Sequence, residues 1–261
     1  MNIKYLVYFY VLIFLIHQPL SVRALPANEK LVKAVKNGNV VKARKALNNG
    51  ASVTVLDRGS NRMLLACVSK SKNGFNMAKL LLNHKSPVNS KVTDITTPLH
   101  AAVKDNNRPL VQLLLEKGAD VSAQDENKDT PLHCAVFKGN SKIIHMLLAA
   151  KAPINPVNKY GDTPLLYAWD NTEIMQLLIE KGAGVNSVNK DGFTPLHWAA
   201  SIGNSTAVQL LLKCRANPLL KDNYGKTALD YAQDMIVSDT TKQNKEKTIQ
   251  LLVERQPRQS R

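Results

Sequence analysis

Five threonines set the frame of this chain. Thr97, Thr130 and Thr163 stand 33 residues apart, Thr194 follows after 31 and Thr227 after another 33. Each opens a related stretch: Thr97-Pro98-Leu99-His100-Ala101-Ala102, Thr130-Pro131-Leu132-His133-Cys134-Ala135, Thr163-Pro164-Leu165-Leu166, Thr194-Pro195-Leu196-His197-Trp198-Ala199-Ala200 and Thr227-Ala228-Leu229-Asp230. Such a step constrains the fold more than any composition total. One supersecondary unit is repeated, and neighbouring units must bury each other's apolar faces.

The unit can be read residue by residue. Threonine before proline starts a helix: the hydroxyl accepts from orphan N–H groups of the first turn, and proline at the first helical position sacrifices no hydrogen bond. Leucine then enters a core, and the paired small residues let a neighbouring helix approach. About a dozen residues on comes a second apolar run: Val111-Leu115, Ile144-Leu148, Ile174-Ile179 and Val208-Leu212. Each predicts a second helix with one buried stripe. Gly118-Ala119 and Gly182-Ala183 then supply a left-handed C-cap. In three units that glycine is replaced by Lys85, Lys151 and Arg215, so those turns either relax or take another form.

The pattern resembles the ankyrin repeat over roughly residues 28–253. The resemblance implies an all-α solenoid of paired antiparallel helices with β-hairpin loops. Seven repeats are expected, near 28–57, 58–91, 94–126, 127–157, 160–188, 191–221 and 224–253, with a disordered basic tail at 254–261. In such repeats Thr97, Thr130, Thr163 and Thr194 cap the first helices. His100, His133 and His197 fix the loops of their own and the adjacent repeat. The fifth repeat departs from the pattern: Trp169-Asp170-Asn171-Thr172 replaces the usual turn ending in Gly-Asn, so its helix packing must differ. The seventh holds an insertion around Val237–Asn244, which delays its second helix to Thr248–Leu252.

The ends read differently. Lys4 precedes an apolar run from Tyr5 to Ile16, and Val22-Arg23-Ala24 offers small residues where a signal peptidase reads. Residues 1–24 are therefore expected to be a secretory signal peptide. The alternative is a membrane anchor, but twelve helical residues span only roughly 18 Å of a ~30 Å hydrocarbon core. Residues 28–57 lack Thr-Pro and are dotted with lysines, as suits a solvated end cap. Cys67, Cys134 and Cys214 do not amount to a disulfide framework.

Net charge is +15 and uneven. Residues 28–91 carry 13 basic and 2 acidic side chains, whereas residues 92–241 carry 14 and 16. That excess reads either as attraction to an anionic membrane or nucleic acid, or as solvation of the end cap. The lack of a nucleic-acid-binding motif favours the cap.

No phosphate loop, Cys-x-x-Cys pair or nucleophile elbow occurs, so neither an enzyme nor a cofactor or metal site is expected. The recurring histidines are spread along the array rather than gathered round one ion. The resemblance implies instead a protein partner, a monomeric scaffold, and a binding face made of loop tips and the exposed side of the first helices. By position these are Asp129, Tyr160, Asp162, Lys190, Phe193 and Tyr224 at the tips, with Phe137, Lys138, Asp170 and Ile202 on the first helices. Aromatic residues are enriched at binding hot spots. For Tyr160, Phe193 and Tyr224 a second reading stands, in which they pack sideways on the next loop. With the export signal, this suggests a secreted, effector-like protein; the anchored alternative would organise a complex at a membrane.

Overall fold

A computed structural model describes residues 20–53, 73–89, 96–234 and 239–255. The apolar run 5–16, Cys67 and the tail beyond residue 255 lie outside these residues. Among the described residues are twelve α-helices and one 3-10 helix, with no strand beyond a lone bridge at Thr96. The chain divides into two compact units, residues 1–105 with 112–119 and residues 106–111 with 120–261.

In the first unit, α1 (Leu20–Lys36) pairs with α2 (Val40–Asn48), α2 packs on α3 (Gly74–Asn83), and α4 (Pro98–Lys104) follows. The boundary expected at Ala24 falls inside α1, which runs on through Pro26. Apolar residues return at helical spacing to one side: Leu31, Ala34 and Val35 on α1, Ala43, Ala46 and Leu47 on α2, and Met77, Ala78 and Leu81 on α3 are all buried. Asn39 caps α2, its side-chain oxygen accepting from Lys42 N–H at 2.9 Å. Helix α5 (Arg108–Glu116) is shared between the two units by residue number.

The second unit repeats one plan. First helices α6 (Pro131–Phe137), the 3-10 helix (Pro164–Ala168), α9 (Pro195–Ser201) and α11 (Ala228–Asp234) lie side by side. Second helices α7 (Ser141–Ala149), α8 (Thr172–Glu180), α10 (Ser205–Lys213) and α12 (Asp239–Val253) cover them. Close approach is made possible by an alanine five residues after each motif threonine: Ala135, Ala168, Ala199 and Ala232 are at most 1% exposed. The second helices start on asparagines whose side chains accept main-chain N–H groups, Asn140 from Ile143, Asn171 from Ile174 and Asn204 from Ala207.

The short fifth repeat has a geometric solution. From Thr163 to the start of its second helix at Thr172 is 9 residues, against 11 from Thr130 to Ser141. Its first helix winds as 3-10 instead of α, and 5 residues replace the 7 of α6. At about 2.0 Å rise per residue against about 1.5 Å, both span roughly 10 Å. Tighter winding absorbs the deletion.

Two other expectations change. The second helix of the seventh repeat starts at Asp239, not near Thr248, so much of the insertion extends the helix. The turns at Lys85, Lys151 and Arg215 keep the left-handed form, with φ of 63°, 64° and 66°, although no glycine is present. Cys214 is half-buried at a helix end.

Candidate protein-binding face

The loop tips of the second unit are built on a position the motif alone does not reveal, five residues before each threonine. Asp125, Asn158, Asn189 and Asp222 stand there. Each side-chain oxygen accepts two main-chain N–H groups, from residues two and four further on. Asn158 takes those of Tyr160 (2.8 Å) and Asp162 (3.0 Å), and Asp222 those of Tyr224 and Lys226 (both 2.9 Å). These side chains occupy N–H groups that a strand ladder would use, which is why the expected β-hairpins appear as tight turns. Main-chain bonds join successive tips, from Lys159 N to Asn127 O (2.8 Å), Lys190 N to Tyr160 O (2.9 Å) and Asn223 N to Asp191 O (2.9 Å). Gly161 and Gly192 sit where this approach is closest, with left-handed φ of 83° and 80°.

The Thr-His pairs fasten each tip to its helix. Thr130 N–H and hydroxyl meet His133 Nδ1 at 3.1 and 3.0 Å, and Thr194 meets His197 Nδ1 in the same way at 3.1 and 2.8 Å. The opposite ring nitrogens reach the next tip: His133 Nε2 lies 3.0 Å from Asp162 O, and His197 Nε2 3.2 Å from Lys226 O. A carbonyl can only accept, so Nε2 carries the proton and Nδ1 is the acceptor. Burial pushes both imidazoles below their ordinary value, against the opposing pull of these carbonyls and of nearby aspartates. Thr97 and His100 form the equivalent contact in the first unit, at 2.8 Å. Where Leu166 replaces histidine, the buried Thr163 hydroxyl has no hydrogen-bond partner among the described residues. Where Asp230 replaces it, the carboxylate accepts from both the N–H and the hydroxyl of Thr227 at 2.7 Å.

The residues nominated from sequence separate into two groups. Phe137 (65% exposed), Tyr160 (51%), Ile202 (39%) and Tyr224 (78%) face solvent, as do Lys138, Asp170 and Lys190. Phe193 does not: it is half-buried, with ring centroids 4.9 Å from Tyr231, 5.3 Å from His197 and 5.5 Å from Trp198. Asp129 and Asp162 are half-buried and brace their neighbours. Asp129 accepts from Asn158 Nδ2 (3.0 Å) and Tyr167 hydroxyl (3.4 Å), and Asp162 from Asn189 Nδ2 (2.9 Å). Phe193 thus packs on the first helices of its own and the next repeat rather than on the next loop, whereas Tyr160 and Tyr224 stay open.

A family model for ankyrin repeats (3 copies) matches residues 31–125, 110–189 and 169–259. The chain belongs to the ankyrin-repeat family. Curated proteins yield no match to it. Ankyrin repeats are in general protein–protein interaction modules, and the family is typically non-enzymatic.

Within this ankyrin array the face also holds residues that the sequence reading passed over. Tyr167, Trp198 and Tyr231 share one register, four residues after the motif threonine, where Cys134 stands in the fourth repeat. Trp198 is 39% exposed beside Phe193. Tyr167 meets Phe137 edge-on at 6.0 Å and His133 at 5.7 Å. Tyr231 donates to Asp222 at 2.5 Å, and burial together with that carboxylate pushes its phenol up to about 12. Lining up the repeats by threonine would have exposed this column. Among the described residues no group of His, Cys, Asp or Glu side chains is placed to hold a metal ion.

Proposed function

We propose that the chain is a non-enzymatic scaffold that grips a partner protein through the tips and first helices of its second unit. One observation carries this reading. Large side chains that a folded array would gain by hiding, Phe137, Tyr160, Trp198, Ile202 and Tyr224, stand exposed at the tips or in and just after the first helices of the second unit, in which Val157, Val188 and Leu219 are exposed as well. Aromatic residues on a braced frame lose little entropy when they bind. The internal bonds of His133, His197, Asp129 and Asp162 make the surface stiff rather than sticky. Lys138, Asp170 and Lys190 supply a charged border.

The test is proximity labelling from the full chain, compared with a Phe137→Ala, Tyr160→Ala, Tyr224→Ala variant. The set of labelled proteins should collapse to background in the variant. An unchanged set sinks the reading.

The same proposal places the protein outside its producing cell as a secreted, effector-like monomer. Its support is the order of residues 1–24: a positive start, twelve apolar residues, a proline break and small residues at Val22–Ala24. No helix among the described residues is long and apolar enough to cross a membrane. N-terminal sequencing of exported protein should begin at Leu25. A chain still starting at Met1 points instead to an anchored scaffold.

A further inference from the structure

In the first unit, Lys30 and Lys33 of α1 and Lys42 and Lys45 of α2 line one cleft of about 440 Å³, together with Asn37 and Asn49. Among the described residues no acidic side chain lines it, and none of the four lysines enters an ion pair. A second hollow of about 880 Å³ shares Asn37 and Asn39 with it and adds Arg44 and Lys79, again with no acid among the described residues.

Solvating an end cap does not explain this arrangement. Two lysines three residues apart on one helix repel, and here two such pairs on neighbouring helices converge on one concavity. Mixed charge would solvate the surface equally well without that repulsion. A bound anion relieves it.

We propose that the α1–α2 cleft binds a compact, multiply charged phosphate ester. Lysine meets phosphate as a point charge with three donors, and the asparagine amides add neutral donors. The volume suits a small headgroup. Among the described residues neither an aromatic platform nor an arginine fork lines the cleft, and these are the parts that stack or read nucleic-acid bases. The ligand is either a soluble phosphate ester or the headgroup of a phosphorylated lipid.

The probe is tripolyphosphate, added to the full chain and compared with chloride at matched ionic strength. At ten times its Kd it should raise the thermal midpoint by about 3–5 °C. In the Lys33→Gln, Lys42→Gln variant that rise should vanish. The variant's own midpoint in low-salt buffer should not fall, because removing like charges relieves repulsion, so lost binding is not confused with lost fold. Vesicles bearing phosphorylated inositol lipids, set against phosphatidylcholine vesicles, separate the two sources: capture assigns the headgroup, and failure to capture with tripolyphosphate still binding assigns the soluble ester. No rise beyond chloride, or a rise that survives in the variant, overturns the site. Tighter binding of duplex DNA than of tripolyphosphate, lost in the same variant, also overturns it, in favour of a nucleic-acid surface.

Discussion

His133 Nε2 donates to the main-chain oxygen of Asp162, 29 residues further along, at 3.0 Å. The same ring accepts from Thr130 through Nδ1, so one neutral imidazole joins a helix start to the tip of the following repeat. His197 does the same between Thr194 and Lys226. A doubly protonated ring cannot accept, and would face the Thr130 or Thr194 N–H with a second donor.

This fixes the sign of the pH dependence. Burial lowers both histidines in the folded chain, so below about pH 6.5 the unfolded chain binds protons that the folded chain refuses. The stability from these rings is complete above that pH and is lost as pH falls towards the folded values. The thermal midpoint should drop between pH 7 and pH 5. A His133→Leu, His197→Leu variant should start lower, by about 1–3 kcal/mol per site for the groups left unpaired, and should vary less over that range. Equal slopes in both proteins would show that other groups carry the effect.

The fifth repeat offers the reverse experiment. Thr163 Oγ1 is buried without a partner among the described residues, and Leu166 holds the histidine position. Leu166→His should give that hydroxyl an acceptor and reach towards Phe193 O, the equivalent of Asp162 O and Lys226 O. A gain of about 1 kcal/mol is expected. A loss in chemical denaturation would mean that the 3-10 winding does not present the ring as the α-helical repeats do.

What could be read from sequence followed from period. Thr, Pro, Leu and His recur in fixed order, and a stack of helix pairs is the structure that satisfies them. The winding of Pro164–Ala168 was not legible, because a deletion of two residues says that the path changes and not how. The Asp125, Asn158, Asn189 and Asp222 column escaped notice because either Asp or Asn serves as acceptor, so the letter varies while the chemistry is constant. Phe193 and Tyr224 look alike as aromatics near a tip. They differ in register: Phe193 immediately precedes its threonine and falls on the histidine ring, whereas Tyr224 is three residues ahead and points away.

Three C-caps hold lysine or arginine in a left-handed backbone that costs a residue with a Cβ roughly 1 kcal/mol. At Lys151, with φ of 64°, the substitution Lys151→Gly should therefore stabilise the chain by several tenths of a kcal/mol to about 1 kcal/mol. Urea titration of the variant would show the midpoint move up. A midpoint that moves down would mean the lysine stem contributes packing that outweighs the backbone term.

Gly161 presents the opposite case. A Cβ there would sit 2.8 Å from Lys190 N, the group that donates to Tyr160 O, and φ is already 83°. Gly161→Ala should separate two adjacent tips and cost about 1–3 kcal/mol through strain and a weakened bond. Amide exchange of Lys190 should speed up in the variant. Unaltered exchange would show that the tips do not depend on this contact.

Phe137 and Phe193, both nominated as binding aromatics, should now behave differently. Phe137 is mostly exposed, so Phe137→Ala should leave the thermal midpoint nearly unchanged while weakening the partner complex. Phe193 packs on Tyr231, His197 and Trp198 and bridges the sixth and seventh repeats. Its truncation removes edge-on ring contacts as well as apolar burial, and should cost about 1–3 kcal/mol of stability before any partner is present. Because each repeat is held mainly by its neighbours, the loss should loosen the C-terminal repeats first. Hydrogen exchange should therefore rise in α11 and α12 of Phe193→Ala and stay at the wild-type level in α6 and α7. A uniform rise across the second unit would instead mean that it unfolds as one cooperative body.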